Sequence, residues 1–309
     1  MLENLLASIE VGGRHAVNYV PNLRSYATKW VRQTSLEPDS IALADFRQAI
    51  LDAGVTPGRD LLVHASWSGF QRLQAKPSEL LAALREIVGE QHTLVMPTGA
   101  VEKRREGVLV YDVERSPSRM GLLSESLRRM KGALRSPVPI APVSAIGPAA
   151  EDYTRDYRDQ SSLTPWGRGS PYWEIAERGG QVLVLGIDFV RTLTLMHTAY
   201  DVLLESNPIP NYYEPVDYIV VRGGKEERWS LRQQQRYLES HLATYAFRRM
   251  ALASGTLVER SWRGVRMCVV DAKAFLEWHL PIAQRTGLPY WGWSLRARRA
   301  SQSSRPSSS

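Results

Sequence analysis

The chain has 309 residues, with 39 Lys and Arg against 32 Asp and Glu and a formal net charge of +7. At 43% hydrophobic and 23% charged, its composition excludes a disordered chain, a collagen-like chain and a small disulfide scaffold. A single cysteine, Cys268, excludes an internal disulfide and a cysteine-cluster metal site, so a reducing compartment and no metal are expected.

Residues 1–40 read as an N-terminal extension. The opening Met1-Leu2-Glu3-Asn4 lacks the basic start of a secretory leader, so a cytoplasmic location is expected. Gly12-Gly13 and Pro21 interrupt short apolar stretches, while Tyr19, Tyr26 and Trp30 call for burial, which predicts an arm docked on the body. Residues 41–294 read as one α/β unit. Asp45 to Ala53 is helical, closed by Gly54, and Leu61-Leu62-Val63-His64 is a buried strand. Ser78 is expected to cap a helix over 79–88, whose Leu80, Leu81, Leu84 and Ile87 share a face. Thr93-Leu94-Val95-Met96 is a second strand stopped by Pro97, a helix covers 122–130, and Val182 to Leu185 is a third strand. These strands are continuous apolar runs rather than alternating ones, as central strands covered on both faces are.

Beyond Pro208, Pro210 and Pro215 a strand is expected over 218–221 and one long helix over 231–253, stopped by Gly255. Val265 to Val270 is strand-like, and Asp271 is placed to cap a last helix carrying Phe275, Leu276 and Trp278. Tyr290, Trp291 and Trp293 are expected to pack the final segment onto the body, with stacking on a sugar ring or adenine as the competing reading. The tail, 295–309, is rich in Arg and Ser and is expected to be disordered; its four Arg and no acid account for four of the seven net charges. The body is therefore only mildly basic, and a nucleic-acid partner is not implied. No apolar run approaches a membrane span, so no membrane partner is implied either.

The chemistry carries no sharp local motif: the nucleophile elbow, the P-loop, the H-E-x-x-H zinc signature and the dinucleotide fingerprint are all missing. Two of six histidines have informative positions. His64 ends an apolar strand and is followed by Ala65-Ser66-Trp67-Ser68-Gly69. Open α/β sheets bind ligands at the carboxyl ends of their strands, where small residues offer N–H groups and hydroxyls. A packed turn with a hydrogen-bonded histidine is the competing reading. His197 follows the third strand, and imidazole is the natural proton acceptor near neutral pH. Asp188 and Asp201 are the nearby acids that would orient it, and Asp201 lies one helical turn on. The competing reading for His197 is a core histidine satisfied by backbone. Asn211-Tyr212-Tyr213 is a candidate lining of the acceptor side.

Taken in order, five blocks resemble the aminoglycoside 3-N-acetyltransferase family. They are Leu61-Leu62-Val63-His64-Ala65-Ser66-Trp67-Ser68; Thr93-Leu94-Val95-Met96-Pro97-Thr98; Tyr111-Asp112 through Pro117-Ser118-Arg119-Met120-Gly121-Leu122-Leu123-Ser124-Glu125 to Arg135-Ser136; Gly169-Ser170-Pro171-Tyr172 with Gly180 and Val182 to Gly186; and His197 in Thr194-Leu195-Met196-His197. The resemblance spans roughly residues 43–280. It implies an α/β fold with a central mixed, largely buried sheet flanked by helices. It implies acyl transfer from acetyl-CoA, or another acyl-CoA, to an amine of an aminosugar or related biosynthetic intermediate. Ser66, Ser68, Pro97 and Thr98 would line the CoA, and His197 would be the catalytic residue, supported by Asp201, Tyr200 and His64. A homodimer is a further expectation.

The chain departs from the family in two motifs. Where the family has H-P-x-H-S, this chain has Val138-Pro139-Ile140-Ala141-Pro142, and where it has H-x-x-E, Tyr200 replaces the glutamate. The usual proton relay is thus altered. This leaves three alternatives: an acyltransferase with a rebuilt relay, another acyl-transfer or condensation enzyme of an antibiotic or polysaccharide pathway, and a non-catalytic CoA- or sugar-binding member.

Overall fold

The computed structural model describes residues 8–11, 40–158, 164–287 and 289. The expectations resting on Tyr19, Tyr26, Trp30, the 290–293 aromatic cluster and the tail lie outside the described residues. The strands are β1 (Leu61–Ala65), β2 (Leu94–Pro97), β3 (Lys103–Arg105), β4 (Val108–Asp112), β5 (Leu134–Arg135), β6 (Val143–Ile146), β7 (Gln181–Leu185), β8 (Tyr213–Arg222), β9 (Lys225–Gln234), β10 (Leu257–Trp262) and β11 (Val265–Asp271). The helices are α1 (Leu43–Asp52), α2 (Pro77–Val88), α3 (Leu122–Arg128), α4 (Ala150–Thr154), α5 (Pro171–Glu177), α6 (Leu195–Leu203), α7 (Thr244–Ala253) and α8 (Ala272–Thr286).

Seven strands form a mixed central sheet in the order β10-β11-β7-β1-β2-β6-β5. β7, β1 and β2 run parallel, and the outer pairings are antiparallel. The apolar runs are central because both of their faces are covered. Leu62, Val182 and Val184 pack under α4, α5, α6 and α8, with Tyr153, Tyr172, Tyr200 and Phe275. Leu61, Val63, Leu183 and Leu185 point the other way, onto Phe46, Ile50, Leu80, Leu84 and Leu123 of α1, α2 and α3. The expected α/β fold with a buried mixed sheet is what the chain forms.

A second sheet, ordered β3-β4-β8-β9, draws its strands from two distant stretches of chain. Its closing hairpin corrects the expectation of one helix over 231–253: residues up to Gln234 belong to β9, and helix is confined to a 3₁₀ segment, Arg236–His241, and α7. Capping follows local chemistry. Asp271 accepts from Ala274 N–H at 3.0 Å, as its position predicts. The helix expected at 79–88 begins two residues earlier, at Pro77, because Glu79, not Ser78, accepts from the Lys76 N–H, at 2.6 Å. Among the described residues no helix is long and apolar enough to cross a membrane.

Candidate active site

The carboxyl ends of β1, β2 and β7 leave the sheet together. After β1 the chain turns through Ser66–Gly69, with the Ser66 N–H on Leu185 O at 3.0 Å and the Ser66 and Ser68 hydroxyls 2.9 Å apart. Two glycines let this turn meet the exit of β7. A Cβ on Gly69 would lie 1.9 Å from Gly186 O, and Gly186, at φ +71°, would drive one to 2.7 Å from Ser66 O. The Ser116–Gly121 stretch crosses the same ends, tied by Arg119 N–H to Gly99 O at 2.7 Å and anchored through Ser118 N–H to Glu125. Arg128 pairs with Glu125 and holds its carboxyl at about 2.

His64, 4% exposed, sits just inside this rim, its Nε2 3.2 Å from Thr194 Oγ1. Thr194 immediately precedes α6, and His197 lies in that helix's first turn. The two imidazoles are close neighbours, His64 buried and His197 half-buried. Burial, and then the nearby His197, lower His64 to about 3, and burial lowers His197 to about 4. Both rings are therefore neutral at pH 7, as a proton acceptor must be. The Trp166 ring covers His197 with centroids 4.8 Å apart and planes 34° from parallel.

Asp201 is on α6 and fully buried. Its Oδ2 accepts from the Trp166 N–H and its Oδ1 from the Tyr213 hydroxyl, each at 3.0 Å. Burial outweighs these bonds and raises the carboxyl to about 7. It thus holds the residue that covers His197. The Tyr200 ring is fully buried, stacked on Tyr212 at 5.5 Å and edge-on to His279 at 5.9 Å, inside the aromatic core beneath α8. Asp188 caps the Phe189–Arg191 turn and pairs with Arg248 and Arg266.

The four residues expected along a cofactor divide. Ser66 is half-buried and Ser68 exposed, on the open turn. Pro97 and Thr98 are buried, and the Thr98 hydroxyl faces Pro142 O and Ser144 Oγ within the sheet. The Thr98 carbonyl is gripped by Arg135 at 2.6 Å, whose other nitrogen holds Ser116 O at 2.6 Å. Arg135 is thus a brace beneath the site. Val138 is buried against Tyr111, Tyr157, Val220 and Trp229. Ala141, at φ +51°, offers its carbonyl to the Tyr172 hydroxyl at 3.0 Å. The stretch where the two other histidines are missing is apolar, and a cavity of only about 10 Å³ remains beside it. Trp166 and Thr194 carry no role in the sequence reading, and Tyr213 enters it only as a candidate acceptor lining; the turn-rich Pro165-Trp166-Gly167 run is the available signal for Trp166.

A mixed α/β sheet with a neutral histidine pair at the ends of its parallel strands is an arrangement suited to proton transfer in a small-molecule enzyme. Residues 62–278 match the family model described as aminoglycoside 3-N-acetyltransferase. Aminoglycoside N(3)-acetyltransferase IV of a Salmonella species is 33% identical over 214 residues, 69% of this chain and 73% of that protein. Aminoglycoside N(3)-acetyltransferase VII of Streptomyces paromomycinus is 31% identical, over 47% of this chain and 55% of that protein. Among solved structures, AAC-IIIb in a binary complex with CoASH superposes with a TM-score of 0.67 at 26% identity, over 79% of this chain and 96% of that one. A histidine-to-alanine mutant of AAC(3)-IVa in complex with a gentamicin gives 0.68 at 25%, over 83% and 93%. The chain belongs to the aminoglycoside 3-N-acetyltransferase family.

Proposed function

We propose that this protein transfers the acyl group of acetyl-CoA, or another acyl-CoA, to an amine of an aminosugar or related biosynthetic intermediate, with His197 as the proton acceptor. The observation that carries the reading is the half-buried, neutral His197 beside the buried His64 at the carboxyl ends of the parallel strands. The amine nitrogen attacks the thioester carbonyl, the carbon–sulfur bond breaks, and the amine proton passes through the imidazole to the departing thiolate, leaving an amide and CoASH. Ser66, Ser68 and the N–H groups of their turn are the residues on the open rim suited to the CoA chain and the thioester oxygen. One relative's complex with CoASH supports the co-substrate, and another's complexes with a gentamicin and with apramycin support an aminosugar acceptor. Val138, Ala141 and Tyr200, standing where the family motifs named above have two histidines and a glutamate, favour a biosynthetic amine over a clinical aminoglycoside as the acceptor.

The test is acetyl-CoA calorimetry together with thiol release against a panel of aminosugars and amines, on the wild type and His197→Ala. Binding with turnover that falls at least a hundredfold in the folded variant is expected. Wild-type turnover by His197→Ala removes His197 from the mechanism, and failure to bind any acyl-CoA overturns the proposed chemistry.

A further inference from the structure

Trp166 reaches His197 from a turn that leaves it little freedom. Its N–H is fixed on Asp201, which is itself held by Tyr213. The next residue, Gly167, has no room for a side chain, since a Cβ there would lie 2.3 Å from Thr164 Oγ1. The Ser170 N–H closes the turn on Gly167 O at 3.1 Å, and Ser170 caps α5. The indole lies over the imidazole at 4.8 Å between centroids. An aromatic face is electron-rich and attracts a cation held over it more strongly than the neutral form, and the attraction is greatest where water is excluded. A half-buried histidine that takes up a proton is helped by such a face, because the burial it has opposes the charge. Tyr200, at the position of the motif's glutamate, is turned into the core.

We propose that the face of Trp166 supports the His197 imidazolium formed during proton transfer, making Trp166 a positioning and tuning residue anchored through Asp201 and Tyr213. This rests on His197 being the proton acceptor. The titratable groups around α6 are His64 on β1, Tyr172 on α5, Tyr213 on β8, His279 on α8 and Tyr157, with Asp201 and Tyr200 on the helix itself. Burial raises Tyr157, Tyr172 and Tyr213 so that they stay neutral, and His64 is neutral above about 3. Asp201, near 7, is the group to control for, by carrying Asp201→Asn through every measurement.

Replacing Trp166 alone by mono-, di- and trifluorotryptophan weakens the negative ring face while preserving its size. The readouts are the His197 imidazole titration by NMR, the acid limb of kcat/KM, and kcat and KM at neutral pH. With each fluorine the His197 midpoint and the acid limb are expected to move to lower pH. By the third, kcat should fall roughly tenfold, with the KM for acetyl-CoA within twofold of wild type. Trp166→Phe, which keeps a weaker face, should fall between. A His197 midpoint and kcat that ignore fluorination overturn the proposal, because a packing role depends on size alone. Failure of the underlying reading is separable: His197→Ala would then keep its turnover even if fluorination still moved the His197 midpoint.

Discussion

Burial raises Asp201 to about 7, the reverse of what an ion pair would do, and this fixes the sign of its effect on stability. An unfolded aspartate ionises near 3.8, so the folded chain binds the extra proton between there and about 7. The contribution of Asp201 is fully present below pH 3.8 and is lost as pH rises to 7, at most about 4 kcal/mol for a fully buried group. Asn at this position can still accept from Trp166 and carries no charge. Urea unfolding of Asp201→Asn at pH 5 and pH 8 should therefore show a smaller loss of stability than wild type; equal losses would place the titration elsewhere. His64 and His197 have the opposite sign. Their folded values of about 3 and 4 lie below the free value of 6.5, so their contribution is present above 6.5 and lost as pH falls towards 3. His64→Gln should shift the acid-unfolding midpoint, followed by circular dichroism, to lower pH when each variant is referenced to its own stability at pH 7.

At the scale of elements, α7 shows how the N-terminal segment is joined to the body. Its own N-cap, Ala243, has no side-chain oxygen to offer. Glu10, in a helical stretch at 8–11, accepts instead from Thr244 Oγ1 at 2.6 Å and the Tyr245 N–H at 2.9 Å, while Val11 packs on Ala246 and Ile282. The described part of the extension is thus a docked element, supplying a cap from far away in sequence. Glu10→Ala should cost about 1 kcal/mol in urea unfolding, with Glu10→Gln costing less. Such caps are invisible to a local reading, as was β9. Gln233, Gln234 and Leu238 suit a helix, and only Trp229 and Leu231 of β9 are buried, too few for a strand's alternation to register. The clue that outranks propensity is Gly223-Gly224, both at positive φ, which form a two-residue hairpin turn and commit the next ten residues to pairing with β8. The central strands and the α8 cap were legible because burial on two faces and a capping aspartate are written in consecutive residues. His64 and His197 were legible as addresses at strand ends, whereas Trp166 and Tyr213 take their places only through the folded path of Asp201.

Across the whole molecule, the two ends of the parallel strands do different work. The carboxyl ends carry the open serine turn and the histidines. The amino ends are closed by Asp60, 6% exposed, which precedes β1 and joins three other elements. Its carboxylate accepts from the Thr93 N–H at 2.7 Å, the Tyr153 hydroxyl at 2.9 Å and Arg178 Nε at 3.1 Å, so β1, β2, α4 and the end of α5 meet on one side chain. Arg59 extends this floor by pairing with Asp271, the cap of α8, at 2.9 Å. Removing a buried charge that satisfies several donors leaves each donor unpaired, and such losses cost about 3–5 kcal/mol. Asp60→Ala should therefore lower the unfolding free energy in urea by that amount. At a temperature where the variant remains folded, kcat and the KM for acetyl-CoA should stay within twofold of wild type, because none of these partners touches His64, His197 or the serine turn in the contacts described. A large fall in kcat with little change in stability would show instead that the amino-end floor sets the geometry of the opposite rim.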